Sequence, residues 1–227
     1  MSALEFRPLT ADDVECRVAQ CSDKGCSLLL YKTARTDMAL LDETVGAENW
    51  QKDYRTIDGK LFCGIGCRFK DGEWVWKWDT GTPSNMESQK GEASDAFKRA
   101  GFCWGIGREL YTAPFIWVGK EQLDSHYQNK NGRWQCYDKF RVAKLETFEG
   151  AIVSLQIRNG SNGNAVVCDF ADLSPIKKRL WNAIRRYAEL NDEDADALAE
   201  GMRKASGYKE TPEYLRQKIT EFEDACQ

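Results

Sequence analysis

Residues 90–111 read KGEASDAFKRAGFCWGIGRELY and combine two kinds of side chain on one helical repeat. Ala93, Ala96, Phe97, Ala100 and Trp104 recur at helical spacing and make one apolar face. Lys90, Ser94 and Lys98 fall a turn apart on another face, with Arg99 beside Lys98. Small residues let such a helix pack closely, and a fixed Lys-Arg pair on its free side offers charge to a polyanion. The same pattern fits an ordinary helix with a solvated charged face, and the helix alone does not separate the two readings.

Other chemistries find few residues in this chain. There is no G-x-x-x-x-G-K-S/T, so a phosphate-cradling P-loop is absent. The G-I-G of Gly105 to Gly107 lacks the third glycine and the preceding strand of a dinucleotide site. His126 is the only histidine and lies in a polar stretch, which excludes most histidine-based catalysis. Cys16, Cys21 and Cys26 are spaced by five and Cys63 and Cys67 by four; none forms the C-x-x-C knuckle of structural zinc. Asp53, Glu73 and Asp79 are the acidic residues from which a magnesium-dependent nuclease site would be built, and they carry the rival reading.

The chain has 227 residues, 42% hydrophobic and 30% charged, with eight tryptophans, enough for a substantial core. No apolar run approaches the roughly 18 residues of a membrane span, and the N-terminus lacks a secretory signal pattern. An odd count of nine cysteines in a core-rich chain points to free thiols in a reducing cytoplasm. The net charge of −4 does not exclude a nucleic-acid binder, because it says nothing of where the charges lie.

Positioning the Lys-Arg helix requires a partner surface, and the turns of the chain supply one. Residues 14–20 and 27–32 read as a hairpin about Ser22-Asp23-Lys24-Gly25. Thr36 or Asp37 caps a helix striped by Met38, Leu41 and Val45, and Gly46 stops it. Asp58-Gly59 and Asp71-Gly72 are hairpin signals; as two-residue loops they pair Tyr54 with Cys63 and Cys67 with Trp76. One face of the resulting three-stranded meander carries Trp50, Tyr54, Cys63, Ile65, Cys67, Phe69, Trp74, Trp76 and Trp78. The helix of residues 90–104 is expected to cover that face. On the other side stand Gln51, Asp53, Arg55, Phe62, Gly64, Gly66, Arg68, Lys70, Glu73, Val75 and Lys77. Its glycines permit close approach, and Arg55, Arg68, Lys70 and Lys77 make it positive. A one-residue slip would invert the faces and expose the tryptophans.

Beyond Tyr111, a short strand is expected at 115–118, a polar irregular stretch at 120–137, and strands at 140–148, 152–158 and 164–170. Ser174-Pro175 opens a helix, Asn191 to Asp194 a second and Thr211-Pro212 a third. The fold class is α+β: an antiparallel meander packed on a Lys/Arg-bearing helix, with a small C-terminal helical unit. The expected domains are 1–172 and 173–227.

This order of hairpin, helix, meander and Lys-Arg helix resembles the N-terminal DNA-binding domain of the Rad52/Rad22 superfamily of single-strand annealing proteins. Within it, the likeness is to bacteriophage and prophage members. YKTARTDMALLDETVGAENWQ (31–51), GKLFCGIGCRFKDGEWVWKWDTG (59–81) and the stretch through GIGRELY carry it, over roughly residues 14–118. The resemblance implies a β-β-β-α core that binds single-stranded DNA and anneals complementary strands without ATP, in phage recombination and double-strand break repair. It implies no enzyme activity and no cofactor. Arg35, Lys98 and Arg99 match basic residues that line the family's single-strand groove. Arg55, Arg68, Lys77, Lys90 and Arg108 complete the candidate DNA-binding set. Eukaryotic members have a further basic residue where this chain has Phe102, and Arg108 is the candidate substitute. Also implied are a homo-oligomeric ring or helical filament and a bacterial cytoplasmic location. Residues 174–227 are a candidate surface for a host single-stranded-DNA-binding protein or a phage exonuclease. A metal-dependent nuclease acting on DNA is the alternative.

Overall fold

A computed structural model describes residues 4–69, 72–82 and 88–226, with the side chains of 88–90 outside that description. The chain divides into two compact units, Met1–Asp169 and Phe170–Gln227. Among the described residues no helix is long and apolar enough to cross a membrane.

The first unit opens with a hairpin of β1 (Glu15–Ser22) and β2 (Gly25–Tyr31). Helix α1 (Ala34–Val45) follows, and Thr33 caps it by accepting a hydrogen bond from the Thr36 amide. The cap therefore precedes the expected Thr36 or Asp37, and Asp37 lies inside the helix and fully buried. Gly46, at φ 86°, ends α1 as expected.

The meander comprises β3 (Trp50–Ile57), β4 (Lys60–Arg68) and β5 (Trp74–Thr80), and α2 (Ser88–Trp104) packs on it. Asp58-Gly59 closes a two-residue turn and pairs Tyr54 with Cys63, as the sequence implies. The second turn corrects the sequence reading. The Phe69 amide donates to the Glu73 carbonyl and the Gly72 amide to the Phe69 carbonyl, so this loop holds three residues. Gly72 occupies its last position at φ 87°, a left-handed conformation that glycine adopts without strain. Lys70 and Asp71 lie outside the described residues.

The extra loop residue shifts the β4–β5 register by one. Cys67 now faces Val75, Gly66 faces Trp76 and Gly64 faces Trp78. Trp74, Trp76 and Trp78 consequently share the outer face with Arg55 and Arg68, while Lys77 and Asp79 turn toward α2. The tryptophans find their own floor there. A Cβ at Gly64 would sit 2.5 Å from the Trp78 ring, and one at Gly66 would sit 2.7 Å from the Trp76 ring. The two rings lie across glycine backbone, which a larger residue would forbid. The helix face keeps its core: Cys63, Ile65 and Cys67 are buried with Ala96, Phe97, Ala100 and Trp104 of α2.

The remaining strands are β6 (Ile116–Gly119), β7 (His126–Gln128), β8 (Trp134–Cys136), β9 (Phe140–Phe148), β10 (Ala151–Asn159) and β11 (Ala165–Ala171). Six strands form one sheet in the order β11-β10-β9-β1-β2-β6, and Val153, Leu155 and Ile157 anchor its core. β7 and β8 pair as a ribbon inside the stretch expected to be irregular. Its rings are the reason: His126 stacks on Trp134 at 4.8 Å, a contact that polar composition conceals.

The second unit holds α3 (Ser174–Asn191), α4 (Ala195–Lys204) and α5 (Pro212–Asp224). Asp194 and Thr211 cap the latter two through their side chains. Leu173, one residue earlier than expected, occupies the N-cap of α3. Ile176, Leu180, Ile184, Leu215 and Ile219 form its buried core.

Candidate nucleic-acid interface

The geometry that fixes the basic residues begins at Lys32, which is only 2% exposed. Its ammonium donates to Asp37 Oδ1 at 2.5 Å and Oδ2 at 2.6 Å, and to the Lys98 carbonyl at 3.3 Å. It also lies 4.2 Å from the centre of the Phe102 ring. Gly101 allows α2 to approach Asp37, since a Cβ there would sit 3.0 Å from Asp37 Oδ2. Burial raises the Asp37 carboxyl to about 6 and lowers the Lys32 ammonium, and each charge partly offsets the shift of the other. A buried pair of this kind is a poor source of stability, yet losing one partner is costly. It locks the first turn of α1 to the middle of α2.

Sequence reasoning missed this pair. Lys32 and Asp37 flank the helix cap at Thr33, where a charged residue ordinarily faces solvent. The available signal was Gly101, a helix-interior glycine that marks a close crossing.

Arg35 stands on the first turn of α1, exposed and without a side-chain partner among the described residues. Lys98 and Arg99 stand on α2. Lys98 makes a long contact with Asp95 at 3.9 Å, and its charge reaches Lys32 and Asp37. Arg99 contacts Asp79 at 3.3 Å with its side chain 43% exposed. Partly exposed pairs of this kind are worth little, so both cations can exchange their partners for phosphate.

Other candidates have internal work. Lys77 Nζ donates to the Cys103 carbonyl at 3.0 Å and lies 4.4 Å over the Trp104 ring. Arg108 donates to the carbonyls of Phe102 at 2.7 Å and Cys103 at 3.0 Å. Both satisfy carbonyls that the end of α2 leaves without helical donors. Gly105, at φ 104°, completes the stop by donating its amide to the Phe102 carbonyl. G-I-G-R is thus a helix terminator. Phe102, where the resemblance leads one to expect a cation, lies over buried Lys32. Lys90 belongs to α2, but its side chain lies outside the described residues.

Arg55 and Arg68 occupy the outer face of the meander. Arg55 lies 4.4 Å over the Trp78 ring and pairs with Asp53 at 2.9 Å. Arg68 donates to Asn49 Oδ1 at 2.7 Å. The register also scatters the acidic trio of the nuclease reading. Asp53 lies on the outer face with Arg55, whereas Asp79 faces α2 and contacts Arg99. Among the described residues, no group of three His, Cys, Asp or Glu side chains is placed to hold a metal ion.

Residues 2–131 match the model of a family described as Rad52/22 family double-strand break repair protein. That span includes the first hairpin, α1, the meander and α2, and so the whole α1–α2 crossing. No curated protein and no solved structure matches the chain.

Proposed function

The chain belongs to the Rad52/22 family of DNA recombination and repair proteins, and we propose that it anneals complementary single strands without ATP. The observation that carries this reading is the α1–α2 crossing. One buried ion pair there fixes the elements that present Arg35, Lys98 and Arg99.

Arginine and lysine would hold the sugar-phosphate backbone and release its counterions, without selecting sequence. A strand held by its backbone leaves its bases free to test a second strand. Annealing then runs downhill, because each base-pair step gains about 1.4 kcal/mol of stacking. No hydrolysis or cofactor enters this mechanism. Side-by-side protomers in a ring or filament would extend the groove over many nucleotides. In this reading the protein serves phage-type recombination in the bacterial cytoplasm, and residues 174–227 are the candidate surface for an exonuclease or a host single-stranded-DNA-binding protein.

The test is the double variant Lys98→Ala with Arg99→Ala, assayed by single-strand binding and thermal melting. Lost binding with unchanged melting is expected. Wild-type affinity in the double variant would remove both residues from the site.

A further inference from the structure

The outer face of the meander has no part in the crossing just described, and its composition is unusual. Trp74 is 37% exposed, and Ile57, Phe62, Trp76 and Trp78 share the face with it. The Trp76 and Trp78 rings are nearly parallel, with 23° between planes and centroids 5.7 Å apart. Each is backed by a glycine, Gly66 or Gly64, that leaves the ring no freedom to sink further. Arg55 lays its guanidinium on Trp78, and Arg68 lies along the same strand face as Gly64 and Gly66. Among the described residues of these strands, Asp53 is the carboxylate on this face, and Arg55 pairs with it at 2.9 Å.

We propose that this face is a base-stacking platform for unpaired nucleotides. A row of held aromatic rings flanked by guanidinium groups is the combination that binds single strands in general. The rings take the flat faces of bases and the cations take phosphates. A sheet surface suits the purpose because alternate residues along one strand, here Trp74, Trp76 and Trp78 of β5, fall on the same face. A second copy of this chain is the competing occupant, but it would have to bury Arg55 and Arg68 without a surplus of carboxylates on the same face. The platform rests on the single-strand reading above and adds base contact to a backbone grip.

The test compares oligodeoxythymidylate with an abasic strand of the same length, which keeps the phosphates and lacks the bases. The full-length protein is used, so the first comparison needs no variant. The abasic strand is expected to bind about tenfold or more weakly, given the strength of one base–aromatic stack. Trp74→Ala is expected to remove most of that difference by weakening the base-bearing strand only. Lys98→Ala with Arg99→Ala is expected to weaken both strands. Equal affinity of the wild type for the two strands would overturn the platform and leave the annealing function standing. Binding of neither strand would overturn the annealing function itself. Acrylamide quenching that falls with protein concentration and ignores DNA in the wild type, but loses that concentration dependence in Trp74→Ala, would assign the face to a second copy, and would equally overturn the platform. Circular dichroism melting of the Trp74 variant confirms that it is folded when it is assayed.

Discussion

The two faces of the three-stranded meander place positive charge in different surroundings. On the helix side, Lys77 is spent on a carbonyl at the end of α2, and Lys52 lies 5.3 Å over the Phe97 ring. On the outer side, Arg55 and Arg68 sit exposed beside tryptophans and glycines. The difference follows from strand alternation combined with one loop residue. Had the second hairpin closed in two residues, the tryptophans would have filled the core and Lys77 would have pointed to solvent. Charge counted along the chain therefore says less about binding than the face on which each charge falls.

The largest effect that can test this contrast is on stability. Lys32→Met leaves the Asp37 carboxylate buried without its cation and is expected to cost about 3–5 kcal/mol in denaturant unfolding. Lys32→Met with Asp37→Leu is expected to recover most of that loss. If the single variant is as stable as the wild type, the crossing is not held by this pair.

Next comes the pH dependence of the same pair. Burial raises the folded-state pKa of Asp37 to about 6 from an ordinary 3.8, so the folded chain holds this proton more tightly than the unfolded one. The stability this group contributes is present in full below about pH 4 and is lost as pH rises through about 6. Wild-type stability relative to Asp37→Asn should therefore fall between those pH values, and a rise would reverse the assignment. Asp13 and Asp138, whose carboxyls are held below the usual range by Arg7 and by Ser125 against the opposing effect of burial, cancel in this difference.

A smaller effect separates the cations by role. Lys77→Met and Arg108→Ala each remove a donor from the end of α2 and are expected to cost about 1 kcal/mol in stability. Arg55→Ala with Arg68→Ala is expected to leave melting nearly unchanged and to weaken single-strand binding. The reverse pattern would exchange the two faces. In salt titrations, removing Lys98 and Arg99 should reduce the slope of log K against log salt by about 1.4, two phosphate contacts at roughly 0.7 each.

Much of this architecture was legible in the sequence. The stripe Ala96, Phe97, Ala100 and Trp104 named the buried face of α2, and Asp58-Gly59 set the first register. Asp71-Gly72 misled because D-G serves both a two-residue turn and the end of a three-residue loop. Nothing local distinguishes them; the seating of Trp76 and Trp78 on Gly66 and Gly64 does, and that depends on strands meeting in space. The candidate site was half legible. Lys98 and Arg99 were found from helical spacing and Arg35 from the resemblance. Lys32 and Asp37, which hold these elements together, look like surface charges in any one-dimensional reading.

Annealing of complementary single strands by the purified protein, in EDTA and without nucleotide triphosphate, tests the proposed function most directly. Duplex formation should be faster than the spontaneous rate, should slow as salt rises, and should return to the spontaneous rate in the Lys98→Ala, Arg99→Ala variant. Unaccelerated duplex formation by the wild type, or shortening of the strands once magnesium is added, would contradict it.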